Sequence, residues 1–357
     1  MAEEMDLKKI LETTVSEDRV DRLMKLTRPD VEGASEEVLR YLVRQSAQYV
    51  NIQYARFLAG IKFTEQDVDD VMHGAIDIHA HGGSDPIERI MLEDDMAIQA
   101  SEASMRAMVI KTWYTPSASR MQLVGKNLAR WSEETGIEPV KLFGGITLQQ
   151  SVGGLNPDAV RRCLGFPGMK YVWLPMTDSY HHRRVVYDDQ TGAGIHILTD
   201  DGKKVLPGLR EILKIAADNN LTVASGHYPH RETAIVAEEA FSLGVKHFEV
   251  IHPAHIHSKN TIAEMKKLAG MGAKLMLSGL GTTCFPLHET GPVYAVRIIK
   301  EVGADNLVYG SDYGQVHNPP HLVGTRWMIK LLAAYGATKE ELIKVFQTTP
   351  AKHLELD

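Results

Sequence analysis

The stretch Asp77-Ile78-His79-Ala80-His81-Gly82-Gly83 puts two histidines, one residue apart, at the end of a short apolar run and stops on two glycines. If the run is a strand, alternation carries both imidazoles to one face, close enough to grip a single ion. The glycines then let the backbone turn away beside them. Alone, such a pair is a weak signal, and its meaning depends on whether later segments supply partners.

Seven further apolar runs follow: MRAMVIK (105–111), VKLFGGITL (140–148), KYVWLPM (170–176), LTVASGH (221–227), HFEVIH (247–252), AKLMLSG (273–279) and NLVYGSD (306–312). Stretches of helical periodicity separate most of them, among them 92–104, 118–134, 207–220, 231–244 and 261–272. Runs that are nearly all apolar suit strands buried on both faces, and alternation with helices suits a parallel sheet. Eight strand-helix units in series predict an α/β fold, a (β/α)8 TIM-type barrel, over residues 73–357. An open doubly wound sheet would carry a glycine-rich phosphate loop after its first strand, and DIHAHGG is not one. Residues 1–72 read as a helical N-terminal extension, with Ser35 as an N-cap and Pro29 and Gly33 breaking the segment before it. It is expected to pack on the barrel or on another subunit. The large insertion after the fourth strand, 177–207, holds a candidate hairpin, GIHIL and KKVL around DDG.

Active sites of such barrels form at the C-terminal ends of the strands, so the polar residue closing each run is the informative one. His79 and His81 close the first, Lys111 the second, His227 the fifth, His252 the sixth and Asp312 the eighth. Imidazoles with a carboxylate form a borderline ligand set that suits zinc, and also manganese, iron, cobalt or nickel. A bound divalent ion acidifies a water and polarises a carbonyl, and a neighbouring carboxylate can take the proton.

This pattern resembles the metal-dependent amidohydrolase superfamily over the whole barrel from about Ala75 onward. VIKTWYTPSASR, GGITLQQSVGGLNP and VYGSDYGQVHNP are similar to a less characterised branch. The resemblance implies that His79, His81, His227, His252 and Asp312 are metal ligands or immediate neighbours of one or two ions, with Asp312 as proton acceptor. Binuclear members commonly bridge their metals with a carbamylated lysine or a glutamate, often from the fourth strand. Here that strand ends in Pro175, Met176 and Thr177. Lys111 is the substitute, open between a carbamate ligand, a cationic clamp for a substrate carboxylate and a structural ion pair. Without it the site holds one ion on His79, His81, His227 and Asp312, and His252 is free as an acid or hydrogen-bond donor.

Gln149, Tyr228, Trp113, Tyr114 and Gln315 follow strand ends and are candidates to line the pocket. His181, His182, Arg183 and Arg184 cluster in the insertion, where Arg183 in particular could meet an anionic group, although a solvated loop is the commoner explanation. His255 and His257 make a second pair one residue apart but follow Pro253 in a loop, and are read as structural or supporting. Substrate-binding expectations therefore rest on Gln149, Tyr228 and Arg183.

Composition bounds the partners. With 39 basic and 46 acidic residues the formal charge is -7, which offers no basic field for nucleic acid. No apolar run reaches the roughly 18 residues that span a bilayer, and the opening MAEEMDLKKI does not read as a secretory signal. Cys163 and Cys284 share no CxxC spacing, which fits a reduced, cytoplasmic setting. The expectation is a homo-oligomeric, metal-dependent hydrolase acting on an amide, lactone, ester or ring C-N bond of a small molecule. The alternatives are a metal-dependent decarboxylase of a small carboxylic acid and a non-catalytic metal- or ligand-binding barrel.

Overall fold

The computed structural model describes residues 63–284 and 291–356 and, before them, Glu17, Val20, Asp21, Met24, Glu36, Leu39, Arg40, Val43 and Arg44. These nine are helical: Val20 packs with Val43 and Met24, and Arg40 bonds Glu17 at 2.8 Å and Asp21 at 2.6 Å. Ser35, Pro29, Gly33 and the rest of the expected extension up to residue 62 lie outside the described residues.

The eight apolar runs become β1 (Ile76–Ala80), β2 (Ala107–Ile110), β3 (Lys141–Thr147), β4 (Met169–Trp173), β5 (Thr222–Ala224), β6 (His247–Val250), β7 (Lys274–Ser278) and β8 (Leu307–Gly310). They lie side by side in sequence order, every neighbouring pair parallel. The barrel closes where the N–H of Asp312 donates to the carbonyl of His79 at 2.7 Å and the N–H of His81 to that of Tyr313 at 2.9 Å. This is the (β/α)8 barrel that the strand-helix alternation predicts.

Side chains sort into two layers because each strand has two buried faces. Ile76, Ile78, Val109, Trp173, Ile251, Met276 and Val308 fill the interior, and Ala351 and Leu354 from the helix Thr349–Leu354 close its floor. The opposite faces, such as Met108, Val172, Phe248 and Leu275, pack under the surrounding helices through Ile212, Val236, Met265, Ile299 and Met328. Each fully buried side chain of this kind contributes about 1.5–3 kcal/mol. The helix Glu65–Met72 starts from a capping box at Thr64 and buries Val68, Val71 and Met72. Its outer face pairs Asp67 and Asp70 with Lys339 at 2.8 and 2.5 Å.

The insertion folds differently from the expectation. Among the described residues the proposed hairpin is reduced to a single antiparallel bridge, Leu198 with Val205, around a tight turn in which the Thr199 N–H donates to the Lys204 carbonyl at 2.8 Å. Polar residues 199–204 leave too few apolar contacts to extend two strands. Ahead of it, residues read as a solvated cluster form a short helix, Tyr180–Val186, capped by Ser179.

Candidate metal centre

Plain alternation in β1 would set Ile76, Ile78 and Ala80 against Asp77, His79 and His81. The structure breaks that pattern with one extra residue: Asp77 pairs with Met108 and Ala80 with Ile110, so three steps of β1 match two of β2. Below the bulge, Ile76 and Ile78 face the interior and Asp77 points outward, where its carboxylate accepts from His321 Nε2 at 2.6 Å and from the N–H groups of His79 and Ser311 at 2.9 Å each. Above it, Ala80 joins the outer layer and His79 turns inward beside Trp173 and His252.

His79 Nε2 and His81 Nε2 then lie 3.6 and 3.1 Å from Asp312 Oδ1, and Lys111 Nζ lies 3.1 Å from His79 Nε2. One ligand atom each from His79, His81 and Asp312 falls within 4.8 Å of the others. Burial, reinforced by the Lys111 charge, pushes His79 well below its ordinary value, and burial lowers His81 as well. Burial works against the charge of Asp312, but the bond from His81 and the charges of His79, His81 and Lys111 outweigh it and hold the carboxyl well below the usual range. Burial pulls Lys111 down to about 7 against the opposing pull of Asp312. The set at neutral pH is therefore two neutral imidazoles and a carboxylate, the forms that ligate a divalent metal, so the donors fit such an ion.

Backbone strain gathers at the same residues. His252 at φ 26° and Asp312 at φ 55° are non-glycine residues in the left-handed region, at a cost of about 1–3 kcal/mol each. By contrast Gly82 and Gly83 do not have positive φ, and the chain leaves β1 there without it. They are needed for close approach: a Cβ on Gly82 would lie 2.7 Å from Glu93 Cγ, and one on Gly83 would lie 3.0 Å from Leu92 Cδ2. The glycine whose conformation matters is Gly314, at φ 131°, where a Cβ would fall 1.8 Å from the His81 carbonyl oxygen.

His227 sits apart from the first group, in a second set of imidazoles. Its Nδ1 is 2.7 Å from His182 Nδ1 and its ring stacks on His257 at 3.8 Å. His257 Nε2 lies 3.0 Å from His252 Nδ1, and His255 stacks on His252 at 4.8 Å. His252 lies between the sets, its ring 5.8 Å from that of His79 and 5.0 Å from that of His227. Sequence position marks neither His182 nor His257 as a ligand, since one lies in the insertion after β4 and the other follows Pro253 in a loop. The available signal was Ser179 as an N-cap for the helix that carries His182.

The three residues expected to bind substrate are engaged in holding loops. The Gln149 amide donates to Thr177 Oγ1 at 2.5 Å and accepts from the N–H groups of Met176 and Asp178, fixing the loop after β4. The Tyr228 hydroxyl donates to the Ile195 carbonyl at 2.9 Å. Arg183 pairs with Asp189 of its own insertion at 2.5 Å. Of the other candidates, Arg184 bonds the Tyr180 hydroxyl, Gln315 accepts from Asn318, and Tyr114 packs on Trp113. Trp113 meets the ring of His81 at right angles, 6.2 Å between centres, and presents its face to Arg89 at 5.7 Å.

Arg89, unremarked by any motif, is buried in the loop after β1. Its Nε and Nη2 bond Asp85 at 3.2 and 2.7 Å, while Nη1 is buried without a hydrogen-bond partner. Its charge acts on both His81 and Lys111.

Residues 74–276 match the model of the DUF6282 family, described as a family of unknown function. No curated protein matches the chain in sequence. Among solved structures, a candidate 2-pyrone-4,6-dicarboxylic acid hydrolase from Pseudomonas putida is similar at 16% identity and a TM-score of 0.52, with 80% of this chain and 98% of that one covered. A candidate hydrolase of the same description from Acinetobacter baumannii, with citric acid bound, gives 16% and 0.51 over 79% and 99%. An amidohydrolase from Pseudomonas aeruginosa gives 12% and 0.50 over 82% and 98%. These likenesses are of fold. The family match spans more than half of the sequence and contains β1 through β6 with the histidines that follow β1, β4, β5 and β6, and on it the chain belongs to the DUF6282 family.

Proposed function

We propose that this protein is a metal-dependent hydrolase of a small molecule, cleaving an amide, lactone, ester or ring C-N bond. The observation that carries the reading is the convergence of His79, His81 and Asp312 within ligating distance, in ligand-ready protonation states, at the C-terminal mouth of the barrel. Zinc is the ion we assign first, ahead of manganese, iron, cobalt or nickel. When bound there, such an ion acidifies a water and polarises the scissile carbonyl. Asp312, held ionised across the neutral range, is the residue we assign as proton acceptor. Lys111, reachable as a neutral amine near pH 7, neighbours His79 and completes that wall as a ligand or clamp. His252, its ring 5.8 Å from that of His79, is the residue we assign as hydrogen-bond donor to the bound substrate.

Charge narrows the substrate class. Arg89 Nη1, buried beside the site and unpartnered, suits an anionic group, and arginine meets carboxylates with two parallel hydrogen bonds. The substrate we assign is a small carboxylic acid. A cytoplasmic enzyme fits the two unpaired cysteines, Cys163 and Cys284. Among the described residues no helix is long and apolar enough to cross a membrane.

The test is Asp312→Asn. We expect unchanged circular dichroism and a loss of turnover of about 10²–10⁴-fold, the size of a general-base contribution. A rate near that of the unaltered protein would remove Asp312 from the chemistry. Assaying candidate acids for carbon dioxide alongside hydrolysis products separates hydrolysis from decarboxylation.

A further inference from the structure

The first strand carries a charge into a layer that its neighbours fill with apolar side chains. Met108, Val172, Phe248 and Leu275 face the surrounding helices, and Asp77, fully buried, faces them too. We propose that Asp77 and His321 are a positioning pair for the metal centre: without touching the ion, they set the spacing of His79 and Asp312 and with it the affinity for the ion. This deepens the hydrolase reading and rests on its assignment of His79, His81 and Asp312 as ligands.

One oxygen spans the seam of the barrel. Asp77 Oδ1 accepts from the N–H of His79 in β1 and from the N–H of Ser311 just after β8, each at 2.9 Å. His79 is a ligand and Ser311 precedes one, so two segments that must present side chains to the same ion are both measured from a single atom. The segment after β8 needs such a hold. Asp312 sits at φ 55°, a conformation that persists only where the surroundings enforce it. Its N–H donates to the His79 carbonyl at 2.7 Å, and Ser311 Oγ donates to the same carbonyl at 3.3 Å, which completes the tie. The ligand atoms are thereby left near their working separation. Neighbouring ligands of a tetrahedral zinc site lie about 3.4 Å apart, and Asp312 Oδ1 is 3.6 and 3.1 Å from the Nε2 atoms of His79 and His81.

His321 fixes the other oxygen. Its Nε2 donates to Asp77 Oδ2 at 2.6 Å, and among the described residues this is the ring's only hydrogen bond, since Nδ1 is buried without a partner. His321 opens the helix His321–Ala334, and that helix is itself tied to β8 and the segment after it. Thr325 Oγ1 donates to the His321 carbonyl at 2.8 Å and lies 2.7 Å from the Tyr309 hydroxyl, while the Tyr313 hydroxyl donates to the Gly324 carbonyl at 3.2 Å. The approach is close enough that a Cβ on Gly324 would fall 2.5 Å from the Tyr313 ring. A carboxylate taken out of water is costly unless its lone pairs are filled, and an apolar side chain would pack this layer as its neighbours do. What the charge adds is direction: donors from β1, from the end of β8 and from the helix converge on one planar group. Groups that act one step behind a metal ligand change metal affinity by about 10–100-fold.

The experiment titrates zinc into the full chain, stripped beforehand, in competition with a chromophoric chelator; His79→Ala identifies the equivalent at issue by removing it. We expect His321→Leu and Asp77→Ala each to weaken that equivalent about 10–100-fold with circular dichroism unchanged, and His321→Gln, whose amide can still donate to Asp77, to stay within about threefold of the unaltered protein. Val236→Ala, which removes buried packing beside β5 on the far side of the barrel, should lower stability and leave the affinity as it was. With cobalt in place of zinc, the visible band of the same equivalent should weaken in His321→Leu and return in His321→Gln, because it reads ligand geometry and not stability. Affinity within about threefold of the unaltered protein in both His321→Leu and Asp77→Ala, with His79→Ala still removing the equivalent, would overturn the positioning role and leave the hydrolase reading standing. An equal loss in Val236→Ala would also overturn it, by making the effect one of stability alone. Zinc binding unchanged in His79→Ala would overturn the ligand assignment and this inference with it. If Asp77→Ala does not fold, His321→Leu and His321→Gln decide.

Discussion

Glu249 is a carboxyl inside the barrel, below the histidines. Its Oε2 accepts from the Tyr171 hydroxyl at 2.9 Å and lies 3.8 Å from His353 Nε2 on the floor, while Oε1 has no partner. Burial pushes it up to about 8, against the opposing Tyr171 bond and Lys111 charge and with Asp77 adding to the rise. The folded protein therefore holds a proton that the unfolded chain gives up near pH 4.5, and stability falls as pH rises from about 4.5 to 8. Glu249→Gln should remove that slope. Urea unfolding at pH 5 and pH 8 should show the variant gaining on the unaltered protein by a few kcal/mol, on the order of the shift's linkage energy; an equal gap at both pH values would count against it. Arg89→Leu should weaken binding of a small dicarboxylate such as succinate by at least about tenfold in calorimetry, with the fold intact; undiminished affinity would move the anion site elsewhere. Residues closing strands, such as Lys111 and Asp312, were legible because the barrel gives position a meaning. Glu249 within β6 and Arg89 in a loop carry no such positional mark, since their roles depend on neighbours far away in sequence.

At the scale of elements, the eight strands were legible because doubly buried strands are continuously apolar, and their ends agree with the runs within a few residues. The bulge in β1 was not. Alternation still predicted that His79 and His81 share a face, but Asp77 would have joined them there, and the extra residue sends it to His321 instead. Nothing in DIHAHGG marks a bulge, because its cause is the register with β2. The helix Tyr180–Val186 escaped notice for a related reason: its short run of histidines and arginines has no apolar period, and it is held by Ser179 and His227. The closure of β1 on β8 makes a sharp prediction. Gly314→Ala would need a positive φ and a Cβ 1.8 Å from the His81 carbonyl oxygen. We expect a loss of about 3 kcal/mol or more in denaturant unfolding, from overpacking and strain together, and weaker metal binding as His81 moves. A variant of unchanged stability and metal affinity would mean that the seam yields easily.

For the whole molecule, the barrel class was legible from the count of strand-helix units, and the grouping of the histidines was not, since it depends on how far the loops after β4 and β6 reach across the mouth. His79, His81 and Asp312 draw the ends of β1 and β8 together, so an ion bound there should stabilise the molecule as well as serve its chemistry. Removing it with chelator should lower the unfolding temperature by several degrees, with restoration on adding zinc at a hundredfold excess over Kd contributing about 2.7 kcal/mol per site; identical melting with and without chelator would deny the ion any part in the fold. The seam between first and last strands has one more consequence, in time. His79 and His81 are made long before Asp312, and the three come together only when β8 docks on β1. A chain still emerging during synthesis lacks the last ligand, so metal capture at this site is deferred until the barrel is complete and reports that it has closed.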